Sequence, residues 1–370
     1  MVTAPMSFGD IYRGRRVLVT GHTGFKGAWL SEWLIQLGAE VTGFSIGIPT
    51  TPSLFEQIKL ASRLRDIRGD IRDPVAIAAA VDATRPDFVF HLAAQPLVRL
   101  SYEIPVETWQ TNVMGTIHMI EALRNISHPC AAVMVTTDKC YENREWLHGY
   151  RENDPLGGHD PYSSSKAACE IAIAAWQKSF LANHPLKMAS ARAGNVIGGG
   201  DWALDRIIPD SIRALASGNP ITVRNPAATR PWQHVLEPLS GYLWLAACLA
   251  APHLSSRGAD LRTPFNFGPG TEANRNVGEL VAALLKTWPG TWSDGSTPGA
   301  LHEASLLHLS TDKAHSLLRW RPVWCFDETV AKTAAWYRQA HGGADAYALT
   351  HGDIAAYTAA ATAARLAWAA

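Results

Sequence analysis

Short apolar runs of strand length alternate with helical patterns through the first half of the chain. The runs cover residues 17–20, 40–46, 87–92 and 131–136, and each is long enough for a buried strand. The first two runs are separated by a helical pattern with an apolar face and a closing glycine, formed by Trp29, Leu30, Trp33, Leu34, Leu37 and Gly38. Strands that alternate with helices are typical of a parallel sheet covered by helices on both faces. We therefore predict an α/β protein with a doubly wound parallel sheet.

The pattern changes after about residue 190, where glycine, proline, tryptophan and arginine become frequent. We predict a Rossmann-type dinucleotide-binding domain over residues 1–190, with returns near 235–265. A smaller α/β domain over residues 191–340 is expected to bind mainly the substrate. The alanine-rich tail, 341–370, has eight alanines in its last twelve residues, and we expect it to form an exposed helix.

Composition excludes several classes of partner. Lysine plus arginine equals aspartate plus glutamate at 33 each, so no net charge would attract nucleic acid or a membrane surface. The five cysteines have no CxxC spacing and are odd in number, so neither zinc nor a complete set of disulfides is expected. No secretion signal is expected, and the apolar stretch 239–251 is too short to cross a bilayer. These features predict a cytoplasmic protein without a metal site.

A glycine-rich turn follows the first apolar run and comprises Gly21, His22, Thr23, Gly24, Phe25, Lys26 and Gly27. Glycine at every third position lets backbone amides approach a diphosphate at a helix N-terminus. The spacing GxxGxxG only approximates the usual GxGxxG, and a turn without a ligand is the alternative. The end of the second run, 44–46, has neither a carboxylate for the adenosine ribose nor an arginine for a 2′-phosphate. The residues alone therefore leave NAD and NADP open.

Tyr162 and Lys166 lie four residues apart at the start of a predicted helix, behind Asp160 as a capping residue and Pro161 in the first turn. This spacing places both side chains on one helix face. A lysine ammonium beside a phenol lowers the pKa of the phenol. We therefore predict that Tyr162 accepts the proton of a sugar hydroxyl while hydride leaves for a nicotinamide.

Together these residues resemble the extended short-chain dehydrogenase/reductase family over nearly the whole chain. The resemblance rests on Gly21, Gly24, Gly27, the strand end 91–95, Asn112, Thr137, Tyr162 and Lys166. It implies NAD as the cofactor, bound by the glycine turn together with Asp70, Ile71, Ala93, Ala94, Asn112, Tyr162 and Lys166. Asp70 would contact adenine, or it is only a turn residue. The resemblance also implies a homodimer, or a higher homo-oligomer, formed through helices around 112–124 and 162–180.

Thr137-Asp138-Lys139 and the segments 139–146 and 193–202 resemble the CDP-glucose 4,6-dehydratases of this family. The resemblance implies a lyase of deoxysugar biosynthesis that oxidises carbon 4 of CDP-D-glucose, removes water across carbons 5 and 6 and returns hydride to carbon 6. Thr137 would bind the 4-oxygen, and Asp138 would protonate the departing 6-hydroxyl. Lys139 would remove the carbon-5 proton if it is neutral, or hold an oxygen by its charge. An extended backbone would point Asp138 and Lys139 to opposite sides.

The nucleotide end of the substrate is expected in the second domain. By resemblance, the substrate-binding residues are Gln95, Asn195, Arg206, Arg224, Arg230 and His234. Arginine suits a diphosphate because it donates two parallel hydrogen bonds, although each arginine alone could be an ordinary surface charge. Nothing in these residues distinguishes cytosine from other bases. A nucleotide-sugar 4-epimerase, a 4,6-dehydratase acting on a dTDP-, UDP- or GDP-sugar, and a non-catalytic NAD(P)-binding scaffold are therefore the alternatives.

Overall fold

The structure is a computed structural model that describes residues 7–255, 260–296 and 306–370. The prediction that the chain has no secretion signal concerns its N-terminal segment. Residues 1–6 of that segment lie outside the described residues. The strands are β1 (Arg16–Thr20), β2 (Glu40–Ser45), β3 (Arg65–Arg68), β4 (Phe88–His91), β5 (Cys130–Val135), β6 (Leu186–Ala193), β7 (Val196–Ile197), β8 (Ile221–Val223), β9 (Thr229–Pro231), β10 (Gln233–His234), β11 (Phe265–Phe267), β12 (Asn274–Asn276) and β13 (Trp292–Asp294).

The α-helices fill the segments between these strands and the C-terminal part of the chain. They are α1 (Phe25–Gln36), α2 (Leu54–Gln57), α3 (Pro74–Thr84), α4 (Val98–Glu103), α5 (Pro105–Trp109), α6 (Gly115–Arg124), α7 (Pro161–Phe180), α8 (Ile207–Ala216), α9 (Leu236–Ala250), α10 (Val277–Thr287), α11 (Phe326–His341) and α12 (Ala346–Ala363). One π-helical turn, Gln110–Met114, joins α5 to α6.

A seven-stranded sheet with the order β11-β6-β5-β4-β1-β2-β3 forms the centre of the molecule. All of its neighbouring strands pair in parallel. The prediction of a doubly wound parallel sheet is therefore confirmed. The strand order reverses between β1 and β4, and in such sheets ligands bind in the crevice outside the carboxyl ends of the strands at that point.

The central sheet is buried on both faces, which explains why its strands are continuous apolar runs. Successive side chains of a strand point to opposite faces. Val17 and Val19 of β1 accordingly pack in the core that includes α1 and α9, whereas Leu18 packs in the core that includes α3 and α6. The carboxyl ends of the strands are thereby fixed between two rigid helical layers.

Smaller two-stranded pairs build the second part of the molecule. They are β7 with β10, β9 with β12, and β8 with β13. The chain also returns to the central sheet: α9 packs on β5 and β6, and β11 pairs with β6. The domain boundaries that we proposed from the sequence remain a prediction.

The alanine-rich tail forms a helix, but that helix is not simply exposed. In α12, Ile354 and Tyr357 are buried, and Trp368 beyond the helix is fully buried. The Trp368 ring stacks on Phe8 at 4.9 Å and on Tyr357 at 5.7 Å between ring centroids. The few large apolar residues among the alanines dock the tail on the core, because burying them removes apolar surface from water.

The cysteines and the helix lengths give two further facts. All five cysteines are free; Cys130, Cys140, Cys169 and Cys248 are buried, and Cys325 is exposed. Within residues 7–255, 260–296 and 306–370, no helix is both long and apolar enough to span a membrane.

Candidate active site

The glycine-rich turn between β1 and α1 is tightly folded. Gly21 has a positive φ of 77°, and a Cβ atom on Gly27 would lie 2.0 Å from the Gly21 carbonyl oxygen. A Cβ atom on Gly24, in contrast, would meet nothing nearer than that same oxygen at 3.4 Å. Helix α1 begins at Phe25 without a side-chain cap. The backbone N–H groups of its first turn and the space above Gly24 therefore fit a dinucleotide diphosphate.

Two side chains of this turn, His22 and Thr23, make hydrogen bonds to other residues of the protein. His22 is fully buried, with Nε2 2.9 Å from Asp66 Oδ1 and Nδ1 3.0 Å from Ser45 Oγ. The Thr23 hydroxyl donates to the Gly47 carbonyl oxygen at 2.6 Å. Ser45 at the end of β2 is thus engaged by His22, and the nearby carboxylate comes from β3. Sequence analysis did not identify Asp66, because only the pairing of β2 with β3 brings it to this position.

Asp70 and Ile71 follow β3. Asp70 accepts hydrogen bonds from the backbone N–H and Nε of Arg72, both at 2.8 Å. The hydrogen bond from the Arg72 side chain holds the pKa of Asp70 below its usual range. Ile71 is buried and lies where a Cβ atom on Gly115 would be. Both residues are therefore held in fixed positions, and their contact with adenine remains a prediction.

Asn112 connects the loop after β4 to helix α7. Its Oδ1 accepts from the Gln95 N–H at 2.8 Å, and its Nδ2 donates to the Gln95 carbonyl oxygen and to Ser165 Oγ. The Gln95 carboxamide is hydrogen-bonded to the backbone of Leu97 and to the Thr108 hydroxyl. The structure therefore places Asn112 and Gln95 as loop-fixing residues, which is at odds with their predicted cofactor and substrate contacts. The loop that they fix begins with Ala93, whose N–H contacts Thr20 Oγ1 at 3.2 Å, and Ala94.

Tyr162 and Lys166 lie at the start of α7, and the Asp160 side chain caps that helix by accepting from the Ser163 N–H at 2.9 Å. Both side chains are largely buried. Burial raises the pKa of Tyr162 above its ordinary value, and the hydrogen-bonding Thr137 side chain lowers it only in part. The predicted lowering by Lys166 is not seen. Lys166 Nζ donates to the Val135 carbonyl oxygen at 3.4 Å. Burial lowers the pKa of Lys166.

Thr137, Asp138 and Lys139 follow β5 directly. Asp138–Cys140 forms a 3₁₀ turn in which the Thr137 side chain accepts from the Lys139 N–H. Thr137 Oγ1 donates to Asp138 Oδ1 at 3.0 Å, and Lys139 Nζ lies 3.6 Å from the same carboxylate oxygen. The segment is therefore not extended, and the expected separation of Asp138 from Lys139 is wrong. A close carboxylate favours the charged form of the lysine.

Lys26 belongs to the same cluster. Burial lowers the pKa of Lys26 to about 8, and the charges of Arg206, Lys166 and Lys139 act in the same direction, while Asp138 opposes them. The side chain is thus close to the residues that follow β5. The glycine motif predicted Lys26 only as a cofactor-binding residue, because a motif at one end of the sheet does not reveal which loops meet it.

A buried ion pair next to Thr137 stabilises this cluster. Arg192 Nη2 lies 2.8 Å from Glu170 Oε2, and both side chains are at most 2% exposed. Glu170 also accepts from Thr136 and Ser190, and Arg192 donates to the Tyr141 hydroxyl. The pair joins α7, β5 and β6 and fixes the backbone on either side of Thr137. Glu170 lies four residues after Lys166, which is the one sequence signal that could have identified it.

The residues predicted to bind the nucleotide are only partly brought together. Arg206 pairs with Asp201 at 2.8 Å and is close enough to Tyr162 and Lys26 for their charges to interact. Arg224 is 45% exposed and pairs with Asp205 at 2.6 Å.

Arg230 belongs to β9, and Asn195 lies between β6 and β7. Arg230 Nη1 donates to the Thr229 carbonyl oxygen at 2.8 Å. Asn195 Oδ1 is buried and has no hydrogen-bond partner among the described residues. A buried acceptor without a partner is costly, so this oxygen is suited to a donor from a ligand.

His234 does not lie in the crevice. Its side chain is fully buried between Trp29 and Trp324, with ring centroids 5.8 Å and 4.8 Å away. Burial lowers the pKa of His234 to about 3, so the imidazole is neutral. The predicted contact of His234 with the nucleotide is at odds with this placement, because the residue belongs to the core beneath the glycine turn.

Tyr242 of α9 also belongs to the cluster, although no sequence pattern indicated it. Burial raises the pKa of Tyr242, and the charges of Asp138 and Tyr162 raise it further. The Tyr242 hydroxyl and Asp138 Oδ2 are buried without hydrogen-bond partners among the described residues. Asp138 Oδ2 lies 2.9 Å from the position of a Cβ atom on Gly194, so that glycine leaves room for it. The tyrosine was not identified because it lies in an apolar helical run that indicates core packing.

Comparisons with known proteins agree with this architecture. The family described as GDP-mannose 4,6 dehydratase matches residues 18–250. A CDP-glucose 4,6-dehydratase from Salmonella typhimurium is 45% identical over 361 residues, which covers 95% of this chain and 99% of that protein. A probable dTDP-glucose 4,6-dehydratase from Sinorhizobium fredii is 28% identical and covers 87% of this chain and 92% of its own length.

Two solved structures show the same fold. The dTDP-glucose 4,6-dehydratase DesIV from Streptomyces venezuelae, with NAD and TYD bound, has a TM-score of 0.76, is 23% identical and covers 90% of this chain and 99% of its own. A UDP-glucose 4-epimerase from Thermus thermophilus in complex with NAD has a TM-score of 0.74, is 26% identical and covers 88% of this chain and 99% of its own.

Proposed function

This chain belongs to the family described as GDP-mannose 4,6 dehydratase, and we propose that it is a 4,6-dehydratase that converts CDP-D-glucose to CDP-4-dehydro-6-deoxy-D-glucose. The observation that carries the proposal is the Thr137–Asp138–Lys139 turn beside Tyr162. It combines a base for a sugar hydroxyl with an acid that can expel water. An epimerase needs only the first of these two groups.

The cofactor in this proposal is NAD, which the solved Thermus epimerase contains. NAD would accept hydride from carbon 4 and return it to carbon 6, so no external reductant is consumed. The tight turn at Gly21 and Gly27, the open space over Gly24 and the uncapped start of α1 fit its diphosphate. Lys166 and Tyr162 would lie at its nicotinamide end.

Tyr162 and Thr137 would act on the 4-hydroxyl group of the sugar. Tyr162 is buried at the start of α7 and accepts the proton of that hydroxyl as a phenolate, the form that the positive charge of Arg206 favours, while Thr137 hydrogen-bonds the same oxygen. The buried Glu170–Arg192 pair holds the strand ends that carry these residues. The resulting ketone at carbon 4 makes the carbon-5 proton acidic.

Asp138 and Lys139 would then remove water. Hydroxide is a poor leaving group, so the 6-hydroxyl has to be protonated as it departs, and the buried Asp138 carboxyl supplies that proton. Lys139 accepts the carbon-5 proton once its amine is neutral. The distance of 3.6 Å to Asp138 couples the charges of the two groups.

The nucleotide diphosphate would be held by Asn195, Arg206 and Arg230. The Asn195 oxygen, which has no hydrogen-bond partner in the described part of the chain, and the arginines fit phosphate and ribose groups by hydrogen bonding and charge. The assignment of cytidine rests on the 45% identity with the Salmonella enzyme, whose printed name specifies CDP-glucose.

The decisive experiment is a competition between CDP-, dTDP-, UDP- and GDP-glucose, without added reductant. We expect a 4-keto-6-deoxy product from CDP-glucose, with a kcat/KM that exceeds the values for the other three sugars. A higher kcat/KM for the 4-keto-6-deoxy product from another nucleotide sugar would overturn the cytidine assignment. A galacto product would indicate an epimerase, and no reaction with any of the four would contradict the dehydratase proposal.

We also propose that the protein is a cytoplasmic homodimer, and that its product enters deoxysugar biosynthesis such as that of a lipopolysaccharide O-antigen. Support for the dimer comes from an exposed apolar face on α5 to α7, which comprises Val106, Trp109, Met114 and Ile171. A shallow cavity of about 390 Å³ on this face is lined by the first three of these residues. Apolar patches of this kind are typical of subunit interfaces.

A further inference from the structure

Gly194 directly follows β6, at the edge of the sheet where Asp138 follows β5. The parallel pairing of the two strands brings these ends together, with Val135 opposite Ala191. The φ angle of Gly194 is not positive, so the backbone at this position does not require glycine. The glycine is therefore explained by the space that it leaves and not by its backbone conformation.

A side chain at position 194 would meet the Asp138 carboxylate. A Cβ atom on Gly194 would lie 2.9 Å from Asp138 Oδ2 and 3.3 Å from Pro231 Cγ. The first distance is shorter than an ordinary van der Waals contact, and Pro231 stops the new carbon from moving the other way. The carboxylate would have to rotate, and its two oxygens move together. The hydrogen bond of 3.0 Å from the Thr137 hydroxyl to Oδ1 would then be lost or weakened.

Asp138 Oδ2 is suited to a group of the substrate. Asp138 is 1% exposed, and its Oδ2 has no hydrogen-bond partner within residues 7–255, 260–296 and 306–370. The same holds for Oδ1 of Asn195, the residue after Gly194. Buried acceptors without partners are costly, so two of them at neighbouring strand ends indicate a ligand with several hydroxyl groups. A sugar hydroxyl can both donate and accept, and it therefore fits Asp138 with or without its proton.

We propose that Gly194 is a positioning residue for the removal of water, an inference that rests on the proposed dehydratase function: by lacking a side chain it keeps Asp138 Oδ2 directed at the sugar 6-hydroxyl group. In this step Lys139 takes the carbon-5 proton, and the electron pair of that bond forms the double bond between carbons 5 and 6. The bond from carbon 6 to oxygen breaks, and the oxygen leaves as water with the Asp138 proton. Oxidation at carbon 4 uses Tyr162 and does not need this carboxyl.

Gly194→Ala tests the proposal in a single turnover with NAD and CDP-glucose. We expect oxidation at carbon 4 at the wild-type rate, followed by loss of water that is about 10²- to 10⁴-fold slower. Reduced dinucleotide, measured by its absorbance, and CDP-4-ketoglucose, measured by mass spectrometry, should accumulate. Release of the 4-keto-6-deoxy product at the wild-type rate would overturn the proposal. An equal slowing of oxidation and water loss would overturn it as well, because a general disturbance of the site has that effect.

Gly268→Ala is the matched control. Gly268 directly follows β11, the neighbour of β6, just as Gly194 follows β6, and the preceding residues Phe267 and Ala193 pair. The nearest atom to a Cβ on Gly268 would be Leu309 Cβ at 3.6 Å, which is an ordinary contact. This variant should oxidise the sugar and remove water at wild-type rates. Accumulation of the ketosugar as in Gly194→Ala would show that any side chain at this edge of the sheet disturbs the site, and would contradict the proposal.

Asp138→Ala provides a second arm that does not depend on turnover. It removes the carboxylate that a Cβ at position 194 would meet, so the two substitutions should be coupled in a double-mutant cycle. Gly194→Ala alone should lower the free energy of unfolding in denaturant titrations, whereas in the Asp138→Ala background it should leave that free energy unchanged or raise it. If Gly194→Ala does not fold, the double variant should fold.

Equal losses of stability in the two backgrounds, or a double variant that does not fold, would show that position 194 does not act through Asp138. Absence of a 4-keto-6-deoxy product from the wild-type protein would instead overturn the proposed function. The cycle would still measure the contact between Gly194 and Asp138 in that case, so the two failures are distinguishable.

Discussion

Single side chains at the carboxyl end of β5 determine which reaction the site can perform. Asp138 is buried with one carboxylate oxygen bonded by Thr137 and the other without a hydrogen-bond partner among the described residues. Lys139 approaches the bonded oxygen to 3.6 Å. The two groups therefore share their charge state, and a change at one of them alters the other.

Lys139→Met tests the base at carbon 5. The neutral methionine cannot accept a proton, so entry of solvent deuterium at carbon 5 should slow by about 10²- to 10⁴-fold. Oxidation at carbon 4 should continue, and reduced dinucleotide should accumulate, as measured by its absorbance. Deuterium entry at the wild-type rate would show that Lys139 is not the base.

Tyr242→Phe tests whether the buried Tyr242 hydroxyl is unpaired in the folded protein. Because that hydroxyl has no partner in the described part of the chain, its removal should leave the free energy of unfolding unchanged or raise it by about 1–3 kcal/mol. The matched control is Tyr357→Phe, which removes a bond of 2.6 Å to Glu237 and should lower that free energy by about 1.5–3 kcal/mol. Denaturant titration measures both, and equal losses would contradict the prediction.

Residue-level predictions from the sequence succeeded where spacing alone decides proximity. Tyr162 and Lys166 share a helix face, and Thr137 and Asp138 follow a strand, as the patterns indicated. Burial depth could not be predicted, since it depends on packing between distant segments. The placement of His234 in the core and the raised pKa of Tyr162 both follow from that packing.

At the scale of elements, the strongly apolar strands were predictable and the weaker ones were not. Each end of β1, β2, β4 and β5 lies within one residue of the predicted run. Strand β3 has the sequence Arg-Asp-Ile-Arg and lies at the sheet edge, so it lacks the apolar pattern of a central strand. The docking of α12 also depends on contacts across the whole chain that no local pattern contains.

Glu237 anchors the C-terminal elements and makes their stability depend on pH. Its buried carboxylate accepts from the backbone N–H groups of Val323 and Trp324 and from the Tyr357 hydroxyl of α12. Burial raises the pKa of Glu237 to about 7 from an ordinary value of 4.5. The folded state therefore holds this proton more tightly than the unfolded state does. Its contribution to stability is present below pH 4.5 and is lost as the pH rises through 7.

Glu237→Gln removes this titration. Between pH 5 and 8 the free energy of unfolding of the wild-type protein should fall by about 3 kcal/mol more than that of the variant. Asp353, whose pKa burial raises to about 6, is present in both proteins and cancels. Denaturant unfolding at the two pH values measures the difference. Parallel pH dependences would show that Glu237 does not titrate in this range.

At the scale of the whole molecule, the apolar face on α5 to α7 leads to a prediction about assembly. Trp109 lies within this face, and a charge there would be desolvated in a dimer. We expect the wild-type chain of 40.2 kDa to have twice that mass in light scattering, and Trp109→Glu to be monomeric. Leu147→Glu, at an exposed position outside these helices, should remain dimeric. A monomeric wild-type protein would contradict the proposed dimer.

The central claim is that this molecule expels water from a sugar that it has itself oxidised, and one measurement tests it most directly. Purified protein with NAD and CDP-glucose is incubated in D₂O, without reductant, and the product is analysed by NMR spectroscopy. The account predicts a 4-keto-6-deoxy sugar with a methyl group at carbon 6 and one deuterium at carbon 5. A product that retains its 6-hydroxyl group, or unchanged CDP-glucose, would contradict it.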